Sequence, residues 1–412
     1  MMAFEGPFIA SVIARLAEPK NNLAAYWVTY AIALIVEGPV IMMLSASTAL
    51  VKSYASFIKL RNFTFVLNGI LTVIMLVILI PPVFDLISLS ILNLSGEVAD
   101  LTYYALIILL PWPGAIGYRR FYQGILIRNN STRKVAYGTV IRLFSMTVTA
   151  LLLFHFKVYG AWVGAAALSV AVTMEAIASR IMVHSTLKKI KSSIPDHNQE
   201  DLSYREISKF YYPLALTSMI GLAVHPLVTF FLGQSRFALE SLAVMPVIHS
   251  LIFIFRSMGL SYLEVAITFL GDKFENYGQV RKFAVILAIF VFICICLIAF
   301  TPFSDFWFKI VSGLSNELAD FSLMPTRLLV IMPVLTVVLA MQRAILVNGK
   351  RTGPITIATI SEVISIIIVL FISVKFFDTI GAIAAAYALV LGRLIANGFL
   401  TLKVRKVVKK YV

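Results

Sequence analysis

The chain has 412 residues, of which 60% are apolar and 13% charged, and its mean hydropathy is +0.93. Soluble domains average about half apolar and about a quarter charged residues, so this composition excludes an ordinary soluble protein and indicates a polytopic membrane protein. Lys and Arg number 35 against 20 acidic residues, which gives a formal net charge of +15. Most basic residues lie in short loops between apolar runs, which favours orientation signals over a nucleic-acid-binding surface.

Eleven apolar runs are long enough to cross a bilayer, since a spanning helix needs about 20 residues. They are 23–50, 63–92, 101–127, 135–156, 160–186, 207–234, 239–270, 283–311, 322–347, 353–377 and 379–402. Residues 1–16 form a shorter apolar segment. We expect it to be the second part of a twelfth span that is truncated at its start. The predicted fold class is an all-α polytopic membrane protein.

The loops between the spans alternate in basic content. Of the 35 basic residues, 21 lie in one set of loops, which includes 187–206 and the C-terminal tail, and seven lie at the opposite ends of the spans. Cytoplasmic loops carry the excess of Lys and Arg. We therefore expect an integral plasma membrane protein (inner membrane if bacterial) with cytoplasmic N- and C-termini.

The two halves of the sequence are similar to each other at a nearly constant offset. Pro7 falls on Pro226 at an offset of 219, Arg61 falls on Arg281 at 220, and Tyr159 falls on Ile380 at 221. Six spans per half make the halves parallel repeats. The prediction is two six-helix bundles around a central cleft, with an N-terminal lobe at 1–186, a cytoplasmic linker at 187–206 and a C-terminal lobe at 207–412.

Charged residues inside the spans are numerous, although each costs about 2.5–3.5 kcal/mol at a helix centre on insertion scales. Such residues usually face a cavity or a partner. Arg180 and Arg393 lie toward the cytoplasmic ends of their spans, where snorkelling to the interface explains them. The charged residues predicted inside spans are Glu5, Glu37, Glu175, Glu264, Glu362, Arg119, Arg120, Arg142, Arg180, Arg256, Arg343 and Arg393.

The repeat places opposite charges at equivalent positions. Glu37 corresponds to Arg256, and Arg142 corresponds to Glu362. One hypothesis is that each pair meets across the two lobes in one conformation and separates in the other. The alternative is that each residue pairs within its own lobe, and we favour this alternative for Arg142 and Glu362.

The tripeptide Glu-Gly-Pro occurs at 5–7 and again at 37–39. Proline removes a backbone donor and frees a carbonyl one turn earlier, so both helices should kink there. A buried glutamate at such a kink is a candidate site for a coupling proton or cation, which points to Glu37 first and to Glu5 second. With residues 1–16 counted as span one, residues 207–234 form span seven. His225, which precedes Pro226, is the corresponding candidate there.

Arginines near the inner ends of spans four and ten suit an anionic ligand, because guanidinium binds carboxylate or phosphate through two hydrogen bonds. Arg120 and Arg343 are the candidates there, and snorkelling to the headgroups explains them equally well. The sequence contains no phosphate-binding loop, HExxH, GxSxG or paired CxxC motif. Cys294 and Cys296 lie in an apolar run without neighbouring ligands. We therefore expect no enzyme activity, metal or cofactor.

The segments LAAYWVTYAIALIVEGP, PWPGAIGYRRFYQGILIRNNSTRKVAYG and FYYPLALTSMIGLAVHPLVTFFL resemble the superfamily of multidrug and toxic compound extrusion (MATE) transporters and oligosaccharide-lipid flippases. The nearest branch looks like that of the progressive ankylosis protein. The resemblance implies two six-helix lobes that rock between inward and outward states, with proton- or sodium-coupled export in the drug transporters. It also implies efflux of anions such as citrate, ATP or pyrophosphate in the ankylosis branch. Drug extruders usually carry acids in spans seven and ten, where this chain has His225 and Arg343.

Together these observations predict a monomeric secondary transporter that exports an organic solute, anionic or zwitterionic, by alternating access driven by ion coupling or exchange. Glu37, Glu5 and His225 are the candidates for coupling to a proton or sodium ion. Arg256, Arg142, Arg120, Arg343 and Glu362 are the candidates for substrate binding or gating. The alternatives are a flippase for a lipid-linked oligosaccharide and an antiporter that exchanges cationic drugs for protons.

Overall fold

The computed structural model describes residues 2–192, 202–271, 274–349 and 351–411. Residues 193–201 of the predicted linker lie outside the described residues. The described chain is folded almost entirely into helices. These are α1 Glu5–Ile13, α2 Pro19–Glu37, α3 Met43–Leu50, α4 Tyr54–Ile78, α5 Pro81–Asp85, α6 Gly96–Ile108, α7 Trp112–Arg128, α8 Thr132–His155, α9 Gly160–Ser192, α10 Tyr204–Leu222, α11 Val224–Gly233, α12 Ala238–Leu270, α13 Tyr277–Phe300, α14 Phe303–Asp305, α15 Asn316–Leu329, α16 Met332–Asn348, α17 Gly353–Lys375 and α18 Gly381–Tyr411.

Eleven of the described helical segments are long and apolar enough to cross a membrane, which identifies an integral membrane protein. They match the eleven predicted spans, except that the spans predicted at 63–92 and 283–311 end too late. The helix α4 stops at Ile78 and α13 stops at Phe300. Prolines then start new short helices, because proline is tolerated in a first helical turn but not in a helix interior. Apolar residues continue past each break, so hydropathy gave no sign of it.

The predicted internal repeat is confirmed by the helix boundaries. The π-helical segments Leu86–Ile91 and Phe306–Val311 begin 220 residues apart. The same offset relates the starts of α6 and α15 and those of α7 and α16, whereas 219 relates α1 to α11 and 221 relates α9 to α18. Two repeats of six helical segments therefore make up the fold, as predicted.

Contacts within the chain define two compact units that differ from a simple division by chain order. Unit 1 contains residues 16–18 and 28–226, and unit 2 contains residues 3–15, 19–27 and 227 onward. The first part of α2 and all of α1 thus belong with the second repeat, whereas α10 belongs with the first. The lobes predicted at 1–186 and 207–412 follow the repeat rather than these units.

In unit 2, α1 packs against α12 and is fixed at both ends. Near its start, a Cβ at Gly6 would lie 3.0 Å from the Cβ of Ser250, so the two helices are in close contact. At its end, Arg15 donates hydrogen bonds to the carbonyl oxygens of Ile310 and Val311. Gly313 follows with a φ of +73°, where a Cβ would lie 2.9 Å from the same guanidinium, so only glycine fits there.

Candidate functional site

A buried network centred on Glu175 lies in unit 1, and we call it the Glu175 cluster (Arg119, Gln123, Arg142 and Glu175). The Glu175 side chain is fully buried. Its carboxylate accepts hydrogen bonds from Nη1 of Arg119 at 2.5 Å and from Nε2 of Gln123 at 2.9 Å. Nη1 of Arg142 lies 3.7 Å from the same carboxylate. Two guanidinium groups and an amide therefore neutralise and satisfy one buried acid.

The packing of α7 explains how these side chains reach Glu175. Arg119 and Gln123 are four residues apart and therefore share one face of α7. On another part of the helix, a Cβ at Gly124 would lie 1.8 Å from Oγ of Ser47 and 2.4 Å from the carbonyl oxygen of Leu44. This close approach to α3 is possible only with glycine, and it fixes the position of α7 in the unit.

A second buried acid of unit 1, Glu37, is held by a tryptophan. Glu37 ends α2, where the helix dipole disfavours a negative charge. Its Oε2 accepts a hydrogen bond from Nε1 of Trp112 at 3.0 Å, and its charge interacts with that of Arg120. The Nε of Arg120 is buried and has no hydrogen-bond partner among the described residues. Glu37 and Arg120 thus interact electrostatically, and Arg120 keeps an unused hydrogen-bond donor.

The chain breaks its helical structure immediately after Glu37. Gly38–Val40 forms a turn of 3₁₀-helix, at the position where the Glu-Gly-Pro motif predicted a kink. The carbonyl of Gly38 accepts a hydrogen bond from Oγ of Ser218 at 2.7 Å, and that of Pro39 accepts one from the Tyr211 hydroxyl. Both donors lie on α10. The helix α10 therefore provides hydrogen bonds to the carbonyl groups that are freed between α2 and α3.

In unit 2, three arginines and one acid form what we call the Glu362 cluster (Arg256, Arg343, Glu362 and Arg393). Nε of Arg393 donates to Oε1 of Glu362 at 2.7 Å. Arg256 and Arg343 interact electrostatically with both Glu362 and Arg393. Nη2 of Arg343 also donates to Oγ1 of Thr359 at 3.3 Å. The positive charge in this cluster exceeds the negative charge.

A close helix crossing brings Arg393 to Glu362. A Cβ at Gly392 would lie 3.0 Å from the carbonyl oxygen of Glu362 and 2.7 Å from Cγ1 of Ile366. Glycine at this position lets α18 lie directly against α17. The neighbouring arginine then meets a carboxylate on the adjacent helix.

The two clusters use equivalent helix pairs with the signs exchanged. In unit 1 the arginine is on α8 (Arg142) and the acid is on α9 (Glu175), whereas in unit 2 the acid is on α17 and the arginine is on α18. Gln123 and Arg343 also occupy equivalent positions, 220 residues apart. Arg142 and Glu362 therefore each have an ionic partner within their own unit.

The structure distributes the predicted site residues over both units. Unit 1 contains Glu37, Arg120, Arg142 and His225, and unit 2 contains Glu5, Arg256, Arg343 and Glu362. The His225 ring makes an edge contact with Tyr30, with ring centroids 5.4 Å apart. Glu5 is buried in the first turn of α1.

Three expectations about individual residues are wrong. Arg393 does not snorkel but binds Glu362, because Gly392 allows the two helices to approach. Glu264 is exposed on α12, since it lies on a face of the helix where Leu260, Ser261 and Thr268 are exposed as well. Pro7 does not kink a helix, because it lies in the first turn of α1, where proline costs no hydrogen bond.

Sequence reasoning gave no role to Trp112 and Gln123. Both are uncharged, and each acquires its role only as the hydrogen-bond donor to a buried carboxylate. One signal was available for Gln123, since it lies four residues after Arg119 on a helix. No comparable signal exists for Trp112, which is 75 residues from Glu37.

Comparison with solved structures identifies the architecture. An inward-facing multidrug resistance MATE family transporter of the MOP superfamily matches with a TM-score of 0.77 at 17% identity, covering 100% of this chain and 96% of that one. The chain has the MATE-like fold. The lipid II flippase MurJ matches with a TM-score of 0.72 at 15% identity, covering 98% and 85% of the two chains.

A third structure is a MOP superfamily transporter from Pyrococcus furiosus, whose binding pocket is described as having reversed polarity. It matches with a TM-score of 0.61 at 16% identity and covers 98% of this chain and 94% of that one. No protein-family model and no curated protein sequence matches the chain. The resemblance to MATE transporters and flippases is therefore confirmed at the level of the fold, and the progressive ankylosis branch stays a prediction.

Proposed function

We propose that this protein is a secondary transporter that exports an organic anion or zwitterion by alternating access, driven by ion coupling or exchange. The observation that carries the proposal is the surplus of buried guanidinium over carboxylate. Unit 1 has Arg119, Arg120 and Arg142 against Glu37 and Glu175. Unit 2 has the three arginines of the Glu362 cluster against Glu362 and the buried Glu5.

A buried cation without a counter-charge is costly in a membrane, so this surplus favours a negatively charged ligand. The Nε atoms of Arg120, Arg256 and Arg343 are buried and have no hydrogen-bond partner among the described residues. Guanidinium donors bind the oxygens of carboxylate and phosphate groups in pairs. A cationic drug would instead add positive charge to clusters that are already positive.

The structural neighbours support transport as the general activity. They include a multidrug resistance transporter, a flippase for lipid II and a transporter for which a reversed pocket polarity is taken to suggest a different function. A binding pocket of reversed polarity in a transporter of the same fold is compatible with the arginine-rich clusters of this chain. The lipid II flippase keeps the second candidate open, a flippase whose cargo carries its negative charge on a lipid-linked headgroup.

Coupling is assigned to Glu37 within this proposal. Its position at the end of α2 disfavours the ionised form, and Trp112 and Arg120 favour it. Opposing influences of this kind suit a carboxyl group that gains and loses a proton during a transport cycle. Glu5 and His225 stay secondary candidates, and sodium stays the alternative ion. The plasma membrane location, the cytoplasmic termini and the monomeric state are further parts of the proposal.

Flux measurements on the reconstituted full chain test the proposal. Proteoliposomes would be loaded with labelled citrate or with a cationic dye, and efflux would be measured with and without an imposed pH gradient. We expect citrate efflux that depends on the gradient and no dye efflux. Glu37→Gln should remove the dependence on the gradient, whereas Glu264→Gln on the exposed face of α12 should behave as the wild type.

Two results would contradict the export of an organic anion. Efflux of the dye without efflux of citrate would identify a cationic-drug antiporter. Absence of both citrate efflux and dye efflux, combined with movement of a fluorescent lipid-linked diphosphate between leaflets, would identify a flippase. Citrate efflux that stays gradient-dependent in Glu37→Gln would leave anion transport intact and move coupling to another residue.

A further inference from the structure

Glu362 is isolated as a negative charge within its part of the molecule. It is the only acidic residue in α16, α17 and α18. The charged groups that face it are Arg393 on α18, Arg343 on α16 and Arg256 on α12. Arg393 therefore contacts this carboxylate, and two further cations from two other helices interact with it electrostatically.

One carboxylate cannot satisfy the donors of this cluster. Each guanidinium has five N–H donors, and the direct bond to Glu362 comes from Nε of Arg393. The Nε atoms of Arg256 and Arg343 are buried without hydrogen-bond partners among the described residues. The 3.3 Å bond from Arg343 to Thr359 is long for a hydrogen bond to a charged group. An oxyanion with more oxygen atoms than Glu362 would use these donors better.

The closest ion pair of the Glu362 cluster is more open than the closest ion pair of the Glu175 cluster, although Arg142 of the latter cluster is also 11% exposed. The side chains of Glu362 and Arg393 are 10% and 11% exposed, whereas those of Glu175 and Arg119 are 0% and 4% exposed. Ligands can exchange at a partly open ion pair without unfolding of the unit. A fully enclosed pair has a structural role instead.

We propose that the Glu362 cluster is an oxyanion-binding site and that the Glu362 carboxylate is an internal ligand which the transported anion displaces from Arg393. The inference rests on the proposed function and adds the identity of the competing group. A displaced carboxylate in a membrane interior is unstable as an anion. Glu362 therefore takes up one proton from water when the anion binds, and it releases that proton when it returns to Arg393.

The mechanism links anion binding to one proton at a residue other than Glu37. Binding should be tighter at lower pH, because the bound state holds the additional proton. Oxyanions of different chemistry share the same guanidinium donors. Carboxylate and sulfate probes therefore separate a general oxyanion site from a site selective for carboxylates.

The test uses the purified full chain in lipid nanodiscs with sulfate and citrate as probes. Affinity is measured by calorimetry and proton uptake by an indicator dye in weak buffer, at mildly alkaline pH where neither probe titrates. For the wild type we expect uptake of about one proton per anion bound. Glu362→Gln should bind about tenfold more tightly, equivalent to about 1.4 kcal/mol, with no proton uptake and no pH dependence.

Two further variants complete the design. Glu264→Gln, the same substitution on an exposed position of α12, should match the wild type in both measurements. Glu362→Asp keeps the charge but shortens the reach to Arg393, so it should bind more tightly than the wild type and still take up the proton. This variant preserves the test if Glu362→Gln fails to fold.

The outcomes distinguish this inference from the proposed function. Anion binding by the wild type that is unchanged in both Glu362 variants would overturn the inference and leave anion transport standing. Absence of binding in every variant, together with dye export, would overturn both. Tighter binding and lost proton uptake with citrate alone would support the inference and restrict the site to carboxylates.

Discussion

The Glu175 cluster and the Glu362 cluster are built on equivalent helix pairs and yet differ in closure and in charge balance. In the first, one fully buried carboxylate is bound by Arg119 and Gln123 and approached by Arg142. In the second, a partly open carboxylate is bound by one arginine, with two more cations nearby. The Nε atom of Arg119 lacks a hydrogen-bond partner among the described residues, as those of Arg256 and Arg343 do. The difference therefore lies in the closest ion pair, because an enclosed pair holds helices together whereas a partly exposed one can exchange a ligand.

The comparison also shows how duplicated halves diverge. Charge is present in both copies of the helix pair, but the acid and the base have exchanged helices. Reversal of an ion pair preserves its Coulomb energy. It changes which helix presents the spare cations, and in this chain those cations accumulate around Glu362.

The largest effect is expected from removing the buried carboxylate of unit 1. Glu175→Gln leaves Arg119 buried without a counter-charge, which should cost about 3–5 kcal/mol of stability. Glu362→Gln should cost about 1–3 kcal/mol, because the Arg393–Glu362 pair is partly exposed. Thermal unfolding of the detergent-solubilised proteins, followed by size-exclusion chromatography, measures the difference.

Equal losses in the two variants would contradict the distinction between an enclosed and an open cluster. The double variant Glu175→Leu with Arg119→Leu provides the control. Because it removes both charges of the closest pair, it should recover part of the stability lost in Glu175→Leu alone.

An intermediate effect is expected where α7 approaches α3. Gly124→Ala should cost about 1–3 kcal/mol by overpacking, because the carbonyl oxygen of Leu44 lies 2.4 Å from the new Cβ and belongs to the backbone. The equivalent residue of unit 2 is Ala344, which is fully buried. Ala344→Gly should cost about 1 kcal/mol through helix propensity. Chemical denaturation of both variants measures the two costs.

Gly398→Ala is the matched control, since nothing lies within 4 Å of the position of its Cβ. It should be neutral or stabilising by up to about 1 kcal/mol. A loss of stability in Gly398→Ala as large as that in Gly124→Ala would show that the contact with α3 is not the cause.

The smallest effect is expected at the break after Glu37. Ser218→Ala and Tyr211→Phe each remove one hydrogen bond to the carbonyls of Gly38 and Pro39, a loss of about 1 kcal/mol. Amide hydrogen exchange of residues 36–42 should become faster in both variants. Ser257→Ala alters the position of α12 that corresponds to Gly38, and it should leave this exchange unchanged. Protection of 36–42 that is equal in all variants would argue against a stabilising role for α10.

Much of the architecture follows from local properties of the sequence. The length of the apolar runs predicts the spans, and the constant offset between the halves predicts the repeat that the π-helical segments confirm. The prolines that follow Ile78 and Phe300 mark the ends of two helices. The spans predicted from hydropathy ran past them because the composition stays apolar. Hydropathy averages over a window, so it cannot detect a helix that ends inside an apolar run.

The candidate site was predictable in composition but not in pairing. Charge inside a span is costly wherever the side chain points, so the sequence by itself identified Glu37, Glu175, Glu362 and the arginines as residues that need partners. Which partner each residue has depends on helix approach. Gly392 and Gly124 permit contacts that no spacing along the chain encodes.

The sequence by itself therefore determined the membrane setting, the number of spans, the internal repeat and the surplus of buried positive charge. These are properties of single segments and of comparisons between segments. Only the tertiary structure decided that Arg393 binds Glu362, that Trp112 holds Glu37 and that α10 covers the break at Gly38. Each of these contacts joins residues far apart in the chain, and its geometry is set by how closely two helices can pack.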